Sequence, residues 1–153
     1  MSGRVGGTSQ VVSSNLLRLR GEAKISLRRL AEELTERGFP ITAQSLAAIE
    51  SGKTAVTVDL LTAVAGVLGV NPDTMLLPWS EHPSVPLVAL TGLGLADPIT
   101  THDWLAGSVP LPDPFGGVGD PAAFRARTTP DWLRRGRAAA EAARIELPVI
   151  EKR

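Results

Sequence analysis

The chain has no cysteine and no tyrosine among its 153 residues. Without thiols, disulfides, zinc–thiolate centres and cysteine nucleophiles are excluded. Histidine is scarce too. The two present, His82 and His102, stand among Pro, Ser, Thr and Asp and lack the i, i+4 spacing of a helical metal pair. They are expected to be solvated loop residues, with no metal and no cofactor. No apolar run approaches the ~18 residues that a membrane helix needs, and MSGRVGGTSQ at the N-terminus has no apolar signal core. A cytoplasmic protein that does not meet a membrane is expected. No carboxylate pair lies in a recognisable motif, and His102-Asp103 has no accompanying G-x-S-x-G serine, so an enzyme is not expected. Charge of one sign is also missing. Sixteen basic residues balance sixteen acidic ones, and any nucleic-acid-binding surface must therefore be a local patch.

What is present falls into two unequal halves. Only Pro40 and Pro72 of the twelve prolines precede Pro78, whereas five of the six aromatics, Trp79, Trp104, Phe115, Phe124 and Trp132, follow it. The first half shows amphipathic patterns between short turns. The second is rich in Pro and Gly, with weak periodicity. The expected organisation is a mobile arm over 1–12, a helical domain over 13–78 and an extension over 79–153.

Four helix starts in the first half share one design. A polar N-cap is bracketed by an apolar residue before it and another four places after it: Ile25 and Leu30 around Ser26, Ile41 and Leu46 around Thr42, Val56 and Leu61 around Thr57, Val70 and Met75 around Asn71. This is the hydrophobic staple, which fixes the angle at which the chain enters a helix. The spacing predicts helices over Ser14–Ala23, with Leu16, Leu19 and Leu17 inward, then Leu27–Arg37, Ala43–Ser51, Val58–Leu68 and Pro72–Leu76. Gly38, Gly52 and Gly69 are placed to stop three of them. Ala31, Ala47 and Ala48 are small residues where the second and third helices should cross.

The third helix ends in Gly52-Lys53-Thr54, the closing letters of a phosphate-binding loop. That loop also needs a glycine at position 47, which is Ala47, and a preceding strand, whereas Leu46, Ile49 and Gly52 recur at helical spacing. The reading is a helix exit. A compact helix pair joined by a short turn is also the shape that places one helix in the major groove of DNA.

The stretch from about Asn15 to Pro78, half the chain, resembles the lambda-repressor-like, XRE-type helix-turn-helix domain. The residues that carry the resemblance are Leu30-Ala31, Ile49-Glu50-x-Gly52-Lys53, and Leu60 to Met75 as the fourth and fifth helices. The lengthened turn from Thr35 to Ile41 is similar to an actinobacterial variant. The fold class implied is mainly α, with five helices followed by the partly irregular extension. The resemblance also implies a sequence-specific DNA-binding regulator, a repressor, whose partner is double-stranded DNA. In that geometry Thr42, Ala43, Gln44, Ser45 and Ala48 face base edges, and Gln44 can pair bidentately with adenine. Lys53 and Thr54 would meet a phosphate beyond the helix end, and Arg28 and Arg29 the backbone from the second helix.

The sequence also departs from the family. Leu27 stands where a phosphate-binding glutamine is common, Ala48 where a basic residue is common, and no basic residue occurs from Ala43 to Ser51. Met1–Pro78 holds eight basic and seven acidic residues, a net +1. Glu32, Glu33 and Glu36 are expected on the outer face of the second helix, away from the groove side. A homodimer reading a near-palindromic site would compensate for few contacts. The alternative is a protein-interaction module or antitoxin-like protein, in which the nearly uncharged third helix meets a protein.

In the extension, Val85–Leu90 reads as a short strand. The order Leu-Thr-Gly, Trp, Gly-x-x-Pro-Leu is similar to tails that follow this variant. Trp79 and Trp104 are either an effector or partner site or aromatics laid back on the helical core. A last helix is predicted over 130–147, capped by Thr129, with Trp132 and Leu133 on its apolar face and Arg134, Arg135, Arg137 and Arg144 around it.

Overall fold

The computed structural model describes residues 5–82, 88, 90–111 and 119–136. The chain divides into two compact units, Met1–His102 and Asp103–Arg153, and the division falls inside a helix. Among the described residues there are eight helices and no strand. They are α1 (Gly7–Glu22), α2 (Leu27–Glu36), α3 (Ala43–Glu50), α4 (Val58–Leu68), α5 (Pro72–Leu76), α6 (Pro98–Leu105), α7 (Pro121–Thr128) and α8 (Asp131–Arg134).

The four expected caps form as their sequence dictates. Ser26, Thr42, Thr57 and Asn71 each accept a hydrogen bond from the backbone N–H three residues on, at Arg29, Ser45, Leu60 and Thr74. Each satisfies an orphan donor and contributes about 1 kcal/mol. The staples close a single core in the first unit. Leu16, Leu30, Leu34, Leu46, Val64 and Met75 are fully buried in it, and Ile25, Ile41, Val56 and Val70 pack against its edge. Burying each such side chain contributes about 1.5–3 kcal/mol. Ala31 is buried at the α2–α3 crossing and Ala48 is half-buried, whereas Ala47 is exposed and takes no part in it.

The first helix differs from expectation. It begins at Gly7, so half of the anticipated mobile arm, residues 7–12, belongs to its first two turns. Gly, Thr, Ser and Val are poor helix formers, and tertiary contacts hold this stretch instead. Val12 is buried, Ser9 Oγ accepts a bond from Val56 N (3.1 Å), and Ser13 Oγ donates to Ser9 O (2.8 Å). Leu17 is half-exposed rather than inward, because Val12, Asn15 and Leu16 define the buried side of α1.

The first unit continues past Pro78. Val88 and Ala96 exchange two backbone hydrogen bonds as an isolated antiparallel bridge, and Val88 and Leu90 are buried. The rest of the anticipated strand, 85–87 and 89, lies outside the described residues. Thr91 meets the start of α1: Thr8 N donates to Thr91 Oγ1 (3.2 Å), and Thr91 N donates to Thr8 Oγ1 (2.7 Å). Asp97 caps α6, accepting from Thr100 N (2.9 Å) and Thr100 Oγ1 (2.7 Å). His102 therefore sits on a helix rather than in a loop.

In the second unit Asp120 caps α7 through bonds from Ala122 N and Ala123 N, with Pro121 at the first helical position. This helix was not anticipated. Of the predicted last helix, four residues form α8. Gly136, at φ +102, follows it in the left-handed conformation that ends a helix. Residues 137–153 lie outside the described residues. Trp132 and Leu133, on the anticipated apolar face, are exposed.

Candidate nucleic-acid interface

α3 is short, and three devices fix it. At its start, Thr42 Oγ1 accepts from Ser45 N (3.1 Å) and shares a hydrogen bond with Ser45 Oγ (2.9 Å). Along its inner side, Leu46 and Ile49 are buried. At its end, Gly52 adopts φ +68, Gly52 N donates to Ile49 O (2.8 Å) and Lys53 N to Ala48 O (2.9 Å). This double closure is the Schellman motif. It commits the amides of Gly52 and Lys53 to the helix end, so neither is a free donor of the kind that a phosphate-binding loop presents.

A fourth device joins α3 to α1. Arg20 Nε and Nη2 donate to the two oxygens of Glu50 at 2.6 and 2.9 Å, and Arg20 Nη1 donates to Ile25 O at 2.9 Å. Both side chains are largely buried. The hydrogen bonds to Glu50 hold the Arg20 guanidinium above its ordinary pKa, against the opposing effect of burial. Sequence reading assigned Arg20 no role. The signal was there, because Arg20 lies four residues after Leu16, on the side of the helix that turns inward, where a charge needs a partner.

The face that α3 leaves outward carries Thr42, Gln44 and Ser45 exposed, with Ala43 and Ala48 half-buried between them. The Thr42 and Ser45 hydroxyls are already engaged with one another, whereas the Gln44 amide has no partner among the described residues. Lys53 and Thr54 are exposed at the helix exit, and among the described residues Lys53 carries no ion pair.

The charges around α2 are interleaved rather than segregated. Arg28 pairs with Glu32 (3.0 Å), and Arg29 pairs with Glu32 (3.8 Å) and Glu33. Glu32 and Glu36, expected away from the groove side, line with Arg28, Ile41, Thr42 and Ala43 a shallow groove of about 420 Å³ beside the start of α3. The i, i+4, i+8 spacing of Arg28, Glu32 and Glu36 puts all three on that face of α2. Both arginines are more than half exposed. Such solvated pairs are worth under about 1 kcal/mol, so exchanging a glutamate for a phosphate costs little.

Trp79 is 66% exposed, and the Arg18 guanidinium lies 4.4 Å from its ring centre. The two line an open cleft of about 500 Å³ with Gln10, Ser14, Asn15 and Pro78. Asn15, also unassigned from the sequence, is buried beneath it and donates to Met75 O (3.0 Å) and Leu77 O (2.7 Å), tying α1 to α5. Trp104 belongs to the second unit, so neither unit by itself holds a site built on both tryptophans. Among the described residues no three His, Asp or Glu side chains gather to hold a metal, and no helix is long and apolar enough to cross a membrane.

The order of α1 to α5, with α2 and α3 joined by a tight stapled turn and α3 presenting its N-terminal half, matches the Helix-turn-helix family model over residues 16–75. Residues 16–75 are an XRE-type helix-turn-helix domain. Helix-turn-helix domains of this kind bind double-stranded DNA. The chain is similar to the clp gene regulator ClgR from Corynebacterium glutamicum, at 25% identity and a TM-score of 0.41 over 45% of this chain and 68% of that one. It is also similar to hydroxypropylphosphonic acid epoxidase from S. wedmorenis, at 20% identity and a TM-score of 0.40 over 72% of this chain and 44% of that one. The chain thus spans less than half of the epoxidase's length. No curated protein matches it.

Proposed function

We propose that the protein represses transcription, in the cytoplasm and without catalysis, by occupying a specific duplex whose major groove is read by α3. The observation that carries this reading is the outward face of α3. Gln44 stands there exposed and, among the described residues, unpartnered, one residue from the start of a helix that is capped at Thr42 and tied to α1 at Glu50. A side-chain amide in that place can accept from and donate to the two major-groove positions of adenine. Ala43 and Ala48 beside it suit contact with thymine methyls. Lys53 adds a phosphate contact at the exit, and Arg28 and Arg29 reach the backbone once released from their glutamates. So few contacts in one copy favour a homodimer on a near-palindromic site.

Selection of the purified protein against a random duplex library at two salt concentrations tests this. An enriched motif is expected, with two-fold symmetry. A folded protein that enriches nothing at low salt would overturn it. That result would favour the second reading, a protein-interaction or antitoxin-like module. The absence of any basic residue from Ala43 to Ser51 is what supports that second reading.

A further inference from the structure

We propose that residues 121–136 form a second phosphate-binding surface, which engages the backbone of the duplex outside the base pairs read by α3. The inference rests on the DNA-binding reading and supplies what the helix-turn-helix domain lacks. Of the eight basic residues in Met1–Pro78, four are held by carboxylates: Arg18 by Glu22, Arg20 by Glu50, Arg28 by Glu32, and Arg29 by Glu32 and Glu33. Affinity for duplex DNA comes largely from neutralised phosphates and the counterions they release. A domain with a net charge of +1 and four of its seven described cations paired is poorly supplied for that.

The supply is concentrated elsewhere. Residues 121–136 contain four arginines and one aspartate, a net +3 in a chain whose total is zero. Arg125, Arg127 and Arg135 are exposed, and among the described residues none of the three is paired with a carboxylate. Arg125 makes one long bond to Ser108 O (3.4 Å). The neighbouring acid is spent otherwise, since both Asp120 oxygens accept from the first amides of α7. α7 buries none of its residues, so its cations are not there to serve a core. Trp132 and Leu133, 56% and 46% exposed, add two apolar side chains to the same segment.

A lipid surface is the other anionic partner that cations and a tryptophan fit. Interfacial helices need a continuous apolar face to sink into the headgroup region. Among the described residues, helices of eight and four residues with one Trp-Leu pair do not provide one. Covalent continuity with the helix-turn-helix domain raises the local concentration of these arginines at any duplex that domain holds.

The test compares the full chain with its R125A/R127A/R135A variant on the duplex selected by the wild type, with affinity measured across a fourfold range of salt. Three lost phosphate contacts lower the slope of log affinity against log salt by about 2.7. The variant's affinity is then about 40-fold less sensitive to that salt range, while the selected motif stays the same. Triple replacement by lysine, which keeps the charge, should restore the slope and controls for folding. An unchanged slope in a folded alanine variant overturns the surface and leaves the α3 reading intact. A wild type that binds no duplex overturns both. Sedimentation of the wild type, but not the variant, with phosphatidylserine vesicles, together with an unchanged DNA slope, also overturns the proposal and assigns the arginines to a membrane.

Discussion

Arg20 and Glu50 meet fork to fork, two parallel hydrogen bonds of 2.6 and 2.9 Å spanning thirty residues of sequence. The pair closes the last turn of α1 onto the last turn of α3, and it does so with both groups largely withdrawn from water. Removing one partner leaves the other charged and undersolvated, which costs about 3 kcal/mol. Arg20→Ala is therefore expected to lower the urea midpoint strongly. Arg20→Lys should recover only part of the loss, because an ammonium cannot reproduce the planar two-bond fork. A loss below about 0.5 kcal/mol in Arg20→Ala, the range of ordinary surface changes, would show that the pair is not an anchor.

Asn15 offers a second, uncharged test of the same scaffold. Its amide satisfies the carbonyls of Met75 and Leu77 where α5 ends. Asn15→Leu buries both acceptors without a donor, at about 1–3 kcal/mol. Thermal unfolding should show a clearly lowered midpoint, and an unchanged midpoint would mean that water replaces the amide.

Lys53 and Gln44 separate positioning from reading. Lys53→Glu should weaken binding to every duplex alike and reduce the salt slope by about 1. Gln44→Ala should instead relax preference at one base position by about 1–3 kcal/mol and leave the slope alone. Competition binding against single-base variants of the selected site distinguishes the two. A preference untouched by Gln44→Ala would show that α3 is not the reading helix.

Asp97 carries a pH signature. Hydrogen bonds from the Thr100 amide and then its hydroxyl lower the carboxyl pKa from its ordinary value. A folded value below the unfolded one means that the cap contributes stability above an unfolded pKa of about 3.9, and loses it as pH falls through the lowered value. The carboxyl carbon resonance of Asp97 should titrate below 3.9, with the Thr100 amide proton moving in step. A midpoint at or above 3.9 would contradict the cap, and Asp97→Asn should abolish the Thr100 response.

The helix-turn-helix core was legible because its rules are local. Ser26, Thr42, Thr57 and Asn71 announce their helices within four residues, and Gly38, Gly52 and Gly69 end theirs by adopting positive φ. What stayed hidden was non-local. Nothing near Gly7 favours a helix, and its first turns depend on Val56 and Thr91, both far along the chain. The Arg20–Glu50 tie and the exposure of Glu36 beside Thr42 required the fold itself. α7 is a different case, since Asp120-Pro121 is a start signal that the proline-rich surroundings obscured. Of the candidate site, the burial of Leu46 and Ile49 was readable from spacing, whereas the pairing of Arg28 and Arg29 was not.

The reciprocal bonds between Thr8 and Thr91 bear on where this domain can be cut. Gly6 lies so close to Thr91 that an added Cβ would stand 2.6 Å from its hydroxyl. The first turn of α1 is thus fitted to a residue beyond the conventional five-helix boundary. A chain ended after Pro78 would keep every staple yet lose that lid. Its first helix would fray from Gly7 towards Val12, and Val12 is a core residue. Fragments meant to keep the first turn of α1 in place should therefore run past the family pattern, to the end of the Thr91 turn and its bridge at Ala96.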